Sequence, residues 1–185
     1  MNIIINNQKD YKKFINKIII YKSFLYRNIQ FKLENNIQNE ELNIIINALN
    51  IKNKNKRIEY IYDEICKILN KKIDFSICKF KNNKCIIQRK NNSKNYNGCC
   101  LKCKNLKNGQ CNTENITCKL LYCPSIKKKH KIVKMKDIQL FKLFSIKQRL
   151  ILKFDFFSTR EEVLQDLKSH LFIITTHKIF KRNKN

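Results

Sequence analysis

Eight of the chain's nine cysteines fall between Cys78 and Cys123, in a stretch that also holds both glycines and the only proline. Their spacing is Cys78-x6-Cys85-x13-Cys99-Cys100-x2-Cys103-x7-Cys111-x6-Cys118-x4-Cys123. Nothing else in the chain limits its fold as much. From Ile73 to Lys131 helical periodicity is lost, and turn residues take over at Lys81-Asn82-Asn83, Asn91–Asn97, Gly98, Asn108-Gly109 and Pro124. Ile77-Cys78-Lys79-Phe80 and Lys84-Cys85-Ile86-Ile87 flank the first of these turns, a pattern that predicts a β-hairpin. A segment with so few large apolar residues cannot offset the entropy of ordering itself, so cross-links must do so.

Disulfides suit an exported chain, and the sequence argues against export. Met1-Asn2-Ile3-Ile4-Ile5-Asn6 has neither a basic n-region nor an apolar h-region, and Ile18–Ile20 is far too short to span a bilayer. The odd cysteine count points the same way. We therefore expect a cytoplasmic chain whose thiols hold a metal. In that compartment the glycosylation patterns Asn91-Asn92-Ser93 and Asn115-Ile116-Thr117 carry no meaning.

Thiolates bind zinc tetrahedrally, in pairs contributed by separate turns. Cys100-x2-Cys103 has the spacing that aims two sulfurs at one ion, and Cys118-x4-Cys123 falls in the usual range. Cys78 and Cys85, on opposite sides of the expected hairpin turn, form a third pair, which leaves Cys99 and Cys111 to complete the count. Eight thiols suffice for two tetrathiolate sites, and the adjacent Cys99 and Cys100 are expected to serve different ions. The pairing into sites stays open. So does the metal: zinc is favoured, an iron–sulfur cluster is the alternative, and reduced buried thiols or redox-active disulfides are further readings. Cys66 stands apart as a buried thiol on a helix edge.

Flanking this region are apolar stripes at helical spacing. Tyr11, Phe14, Ile18, Tyr21, Leu25 and Ile29 make the first, with Asp10 as its expected cap. Leu42, Ile45, Ile46 and Leu49 follow Asn39. After a loop at Lys52–Lys56 come Ile58, Ile61, Ile65 and Ile68. Beyond the cysteines, Ile138, Phe141 and Phe144 form one stripe, and Ile146, Leu150, Ile151 and Phe154 another. Ser158-Thr159-Arg160-Glu161 reads as a capping box ahead of Val163, Leu164, Leu167 and Leu171. Leu171-Phe172-Ile173-Ile174 reads as a short strand or a fraying helix end, so a helix-turn-helix with a small wing is one arrangement these elements allow. The expected fold is mainly α: helical regions at 1–72 and 132–185 in one compact domain, with a cysteine-rich, loop and β-hairpin metal-binding insertion at 73–131.

Ile, Lys and Asn make up about half of the 185 residues, as an AT-rich genome produces, which weakens the reading of any single Lys or Asn. The net charge of +26, from 40 basic and 14 acidic residues, is harder to set aside. Two tetrathiolate zinc sites would lower it only to about +22. A surface this positive attracts polyanions through counterion release, and nucleic acid, ribosomal RNA included, is favoured over an anionic membrane.

Gly98-Cys99-Cys100, Gly109-Gln110-Cys111 and Cys118-Lys119-Leu120-Leu121-Tyr122-Cys123 are similar to the cysteine-rich zinc- or iron-chelating domain proteins of bacteria, a likeness over about 25 residues. That family keeps its leading cysteines close, whereas Cys85 stands thirteen residues before Cys99. More broadly, Ile61-Tyr62-Asp63-Glu64-Ile65-Cys66 and Phe157-Ser158-Thr159-Arg160-Glu161-Glu162 resemble uncharacterised cysteine-rich proteins of AT-rich Gram-positive bacteria. The resemblance implies bacterial origin and a cytoplasmic location, and brings no activity.

An enzyme is not the favoured reading. There is no P-loop, dinucleotide fingerprint or GxSxG, and two glycines leave little scope for a phosphate cradle. His130, His170 and His177 are isolated among polar, lysine-flanked residues, and only His130, seven residues past Cys123, is a substitute ligand. Asp63-Glu64 and Glu161-Glu162 point in different directions on their helices, the second pair favouring a helix N-terminus. The expected function is binding, with structural zinc and nucleic acid as partner. A redox or iron–sulfur protein, and a chelator that passes ions on, are the alternatives.

Overall fold

Isoleucine stripes at a spacing of three and four become helices wherever an asparagine stands ready to cap them. In the computed structural model, residues 1–23, 29–35, 39–74, 80–81, 84–85, 106–107, 110–111, 113–122 and 124–169 are described, the four short hairpin strands by backbone alone. In chain order these are β1 (Asn2–Ile5), α1 (Gln8–Ser23), β2 (Lys32–Asn35), α2 (Glu40–Asn50), α3 (Lys54–Lys72), β3 (Phe80–Lys81), β4 (Lys84–Cys85), β5 (Leu106–Lys107), β6 (Gln110–Cys111), α4 (Ile116–Lys119) and α5 (Pro124–Lys129). Two 3-10 turns, Met135–Asp137 and Gln139–Leu143, lead into α6 (Ile146–Phe154) and α7 (Arg160–Ser169). The fold is mainly α, and among the described residues no helix is long and apolar enough to cross a membrane.

The centre is α3. Its face Ile58, Ile61, Tyr62, Ile65, Ile68 and Leu69 is buried against α2, α4, α7 and the second 3-10 turn. One apolar cluster joins these to Ile3 and Ile5 of β1, Phe14 and Ile18 of α1, Leu42 and Ile45 of α2, Ile116 of α4, and Val163 and Leu167 of α7. Each such side chain, fully buried, stabilises the fold by about 1.5–3 kcal/mol. The second and third stripes of the sequence are therefore the core faces of α2 and α3.

Several expectations are corrected. α1 closes at Ser23, so Ile29 lies beyond it, outside any helix, and Leu25 lies outside the described residues. Its cap is Asn7, whose Oδ1 accepts the N–H groups of Lys9 and Asp10 at 2.9 and 3.0 Å, while Asp10 reaches back to the Asn6 N–H. The loop expected at Lys52–Lys56 ends at Asn53, which accepts the Lys56 N–H at 3.0 Å and starts α3. An unexpected element is the parallel pairing of β1 with β2, Ile3 opposite Leu33, with α1 in the crossover between them.

The C-terminal stripes also shift. Ile138, Phe141 and Phe144 are all buried: Phe141 lies within the second 3-10 turn, and Ile138 and Phe144 cap its two ends, a three-residue period that matches their spacing more closely than 3.6 does. In α6 the buried face is Gln148, Ile151 and Leu152, whereas Ile146, Leu150 and Phe154 are exposed. The capping box lies one residue later than expected: Thr159 Oγ1 accepts the Glu162 N–H at 3.3 Å and Glu162 Oε2 accepts the Thr159 N–H at 2.9 Å. Glu162 is thus a cap. Arg160 forks onto Asp63 of α3, with two contacts of 2.7 Å, and Lys168 reaches Glu59. The expected wing, Leu171 to Ile174, lies outside the described residues.

The end of the cysteine-rich region departs most from expectation. Helical turns return there as α4 and α5, and Ile116, Cys118, Tyr122 and Ile126 are buried. Thr113 onward belongs to the helical body.

Candidate metal centre

Cys78, Cys99, Cys100, Cys103 and Cys123 lie outside the described residues, and Cys85 and Cys111 are described by backbone alone. Those two occupy the same place in two hairpins. Phe80–Lys81 pairs antiparallel with Lys84–Cys85, setting Cys85 opposite Phe80. Leu106–Lys107 pairs with Gln110–Cys111, setting Cys111 opposite Leu106. Both pairings fit two-residue connections, Asn82-Asn83 and Asn108-Gly109, of the kind hairpin turns favour. The shared register brings out a short repeat that the sequence reading did not recognise: Cys78-Lys79-Phe80-Lys81-Asn82-Asn83-Lys84-Cys85 beside Cys103-Lys104-Asn105-Leu106-Lys107-Asn108-Gly109-Gln110-Cys111.

Cys118 is the one expected ligand whose side chain is described. It sits in α4 at 6% exposure, and its Sγ accepts the backbone N–H of Phe157 at 3.2 Å. Phe157 has φ 66°, a left-handed conformation that costs a residue with a Cβ about 1–2 kcal/mol.

Below Cys118 lies a buried polar hub built on Asn115, 1% exposed. Asn115 Oδ1 accepts the Cys118 N–H at 2.9 Å, and its Nδ2 donates to the carbonyls of Asp155 and Ser158 at 2.9 and 3.0 Å. Thr117 Oγ1 donates to the Leu152 carbonyl at 2.6 Å, and the Ser158 hydroxyl donates to Asp155. One asparagine therefore caps α4, orients the backbone of Cys118 and holds the α6–α7 connection. The signal was present, since Asn115 three residues before Cys118 is cap spacing, but a single Asn in so Asn-rich a chain carries little weight. Asn115 and Thr117, both buried, are also no glycosylation acceptor in this fold.

Cys66 behaves differently. It is buried on α3, donates from Sγ to the Glu114 carbonyl at 3.2 Å, and burial pushes its thiol up to about 12. Tyr62 donates to the same carbonyl at 2.8 Å, and burial with Cys66 alongside drives its phenol upward too. A thiol held in its protonated form is the opposite of a ligand. Among the described residues, no group of three or more His, Cys, Asp and Glu side chains converges to hold a metal ion. His130 is exposed, and His170 and His177 lie outside the described residues. No family model, curated protein or solved structure matches the chain.

Proposed function

We propose that the chain is a cytoplasmic metal-binding protein that holds zinc in a structural role, through Cys78, Cys85, Cys99, Cys100, Cys103, Cys111, Cys118 and Cys123, and binds nucleic acid through its basic surface. The observation that carries the metal reading is the concentration of eight of the nine thiols between Cys78 and Cys123, most of them in a stretch whose sequence has few large apolar residues. The matched registers of Cys85 and Cys111 support it.

The test is elemental analysis of protein purified without air. About two zinc ions per chain is the expected result for two tetrathiolate sites. Iron with matching sulfide would replace this reading by the redox one, and substoichiometric, exchangeable metal would replace it by the chelator. Serine at Cys100, Cys103, Cys118 or Cys123 should lower the metal content, because a neutral hydroxyl substitutes poorly for a thiolate. Serine at Cys66 should leave it unchanged. Equal losses in all five variants would refute the separation of Cys66 from the ligands.

The charge reading rests on +26 and on the exposed run Lys127, Lys128, Lys129 and Lys131 at the edge of the cysteine region. Affinity for duplex should fall with salt at a log–log slope of about −0.9 per phosphate neutralised, or about −0.7 for single strands, with weak sequence preference. Glutamine at these four positions removes the same charge as glutamine at Lys9, Lys12, Lys13 and Lys17 of α1, and should weaken binding more because the run forms a local site. Equal losses would reduce the affinity to diffuse attraction.

A further inference from the structure

α6 carries apolar side chains on two faces. Ile151 and Leu152 enter the core, while Ile146, Leu150 and Phe154 are 70%, 39% and 53% exposed. Ile146 and Leu150 border a groove of about 570 Å³, floored by Met135, Ile138 and Phe141 of the 3-10 turns. That volume lies in the range of about 300–1,000 Å³ typical of ligand clefts. The rim is Lys136, Lys142, Arg149 and Lys153, and no carboxylate lines the groove. Among the described residues none of these four cations is ion-paired, whereas Lys67, Lys71, Arg160 and Lys168 have all found carboxylates. An apolar trough with an uncompensated positive rim is a surface with a defined complement.

We propose that this groove docks an amphipathic helix of a partner protein, one whose apolar stripe is flanked by Asp and Glu. Apolar residues at i, i+3 or i+4 and i+7 of such a helix fill the trough, and the flanking carboxylates meet the rim. Burial of the stripe carries the affinity, while the exposed rim pairs steer encounter and fix orientation. Other occupants fit less well. Single-stranded nucleic acid needs open ring faces for its bases, and the one aromatic lining the groove, Phe141, is 3% exposed. A bilayer would take up the protruding Ile146 and Phe154 but leave the concave floor of Met135, Ile138 and Phe141 unfilled. A second copy of the chain brings +26 to a positive rim.

The test uses the full holo chain at near-physiological salt, where diffuse attraction is screened beyond about 8 Å. The probe is a fluorescein-labelled synthetic helix with a leucine stripe among glutamates, and the control is the same composition with the leucines scrambled off the stripe. Fluorescence anisotropy should show the striped peptide binding at least about tenfold tighter than the scrambled one. Ile146→Ser with Leu150→Ser should abolish that preference and leave the scrambled peptide's affinity unchanged. Because both side chains are exposed, the fold should tolerate the change. Lys142→Glu with Arg149→Glu should weaken the striped peptide in an independent background. Equal binding of the two peptides would overturn the proposal, as would an undiminished preference in the serine variant. Leu150-dependent binding of an oligonucleotide or of phosphatidylserine vesicles, with no such dependence for the peptide, would assign the groove to that occupant instead.

Discussion

If the proposed metal is bound, its removal by a chelator is expected to open the stretch between Asp74 and Thr113 to proteolysis while the helical circular dichroism signal persists. Ligation of a structural zinc contributes on the order of 10 kcal/mol to the folding of what it holds, and the sequence of this stretch offers few large apolar residues to take over. The boundaries follow from burial. Ile73 is 8% exposed at the end of α3, and Thr113 is 5% exposed before α4, so cleavage should stop at both. Cys118 should stay protected, because the core around α4 holds it with or without metal. Limited proteolysis with mass spectrometry reads the sites directly. Apo protein that resisted cleavage between these residues as well as holo protein would end the metal-folded reading.

Asn115→Ala is expected to cost about 4 kcal/mol, a large part of the roughly 5–15 kcal/mol that hold a domain folded. The substitution strips partners from the Cys118 N–H and from the Asp155 and Ser158 carbonyls, all in the interior. Buried groups left unpaired cost more than the same bonds lost at a surface. Asn53→Ala is the matched control. It also removes an asparagine cap, but Asn53 is exposed and water replaces it, so the cost should be about 1 kcal/mol. Denaturant titration measures both, and similar midpoints would refute Asn115 as the member joining α4 to the α6–α7 connection.

Where one apolar face dominates, the sequence declares the helix. α2 and α3 bury the very isoleucines and leucines whose spacing announces them. α6 fails for the opposite reason: Ile146, Leu150 and Phe154 compete with Ile151 and Leu152, and spacing alone cannot say which set turns inward. α4 has a single turn, too short for any period, and it is helical because Asn115 caps it and the core receives Ile116. β1 and β2 are four residues each and pair only through a crossover, a long-range fact invisible to local pattern. The same composition that obscured single asparagines explains the capping: Asn7, Asn39, Asn53 and Asn115 start α1, α2, α3 and α4. As for the candidate site, the thiols were legible by count and spacing. The N–H of Phe157 on Cys118 was not, because it depends on a left-handed residue in a connection remote in sequence.

Ile73 belongs to the apolar cluster and Thr113 is buried ahead of α4, so both ends of the intervening chain are anchored on the helical body. Closure entropy rises slowly with length, about 0.6 kcal/mol per doubling, and the helical body has already met that cost before any ion arrives. Ligands on a tethered loop meet at a raised effective concentration, as linked binding modules do. On the proposed metal reading linkage would run both ways: whatever holds these anchors more firmly would raise the affinity for the ion, and a bound ion would return the same free energy to the core. A substitution that loosens α4 without touching a thiol would therefore appear in a metal titration as weaker binding.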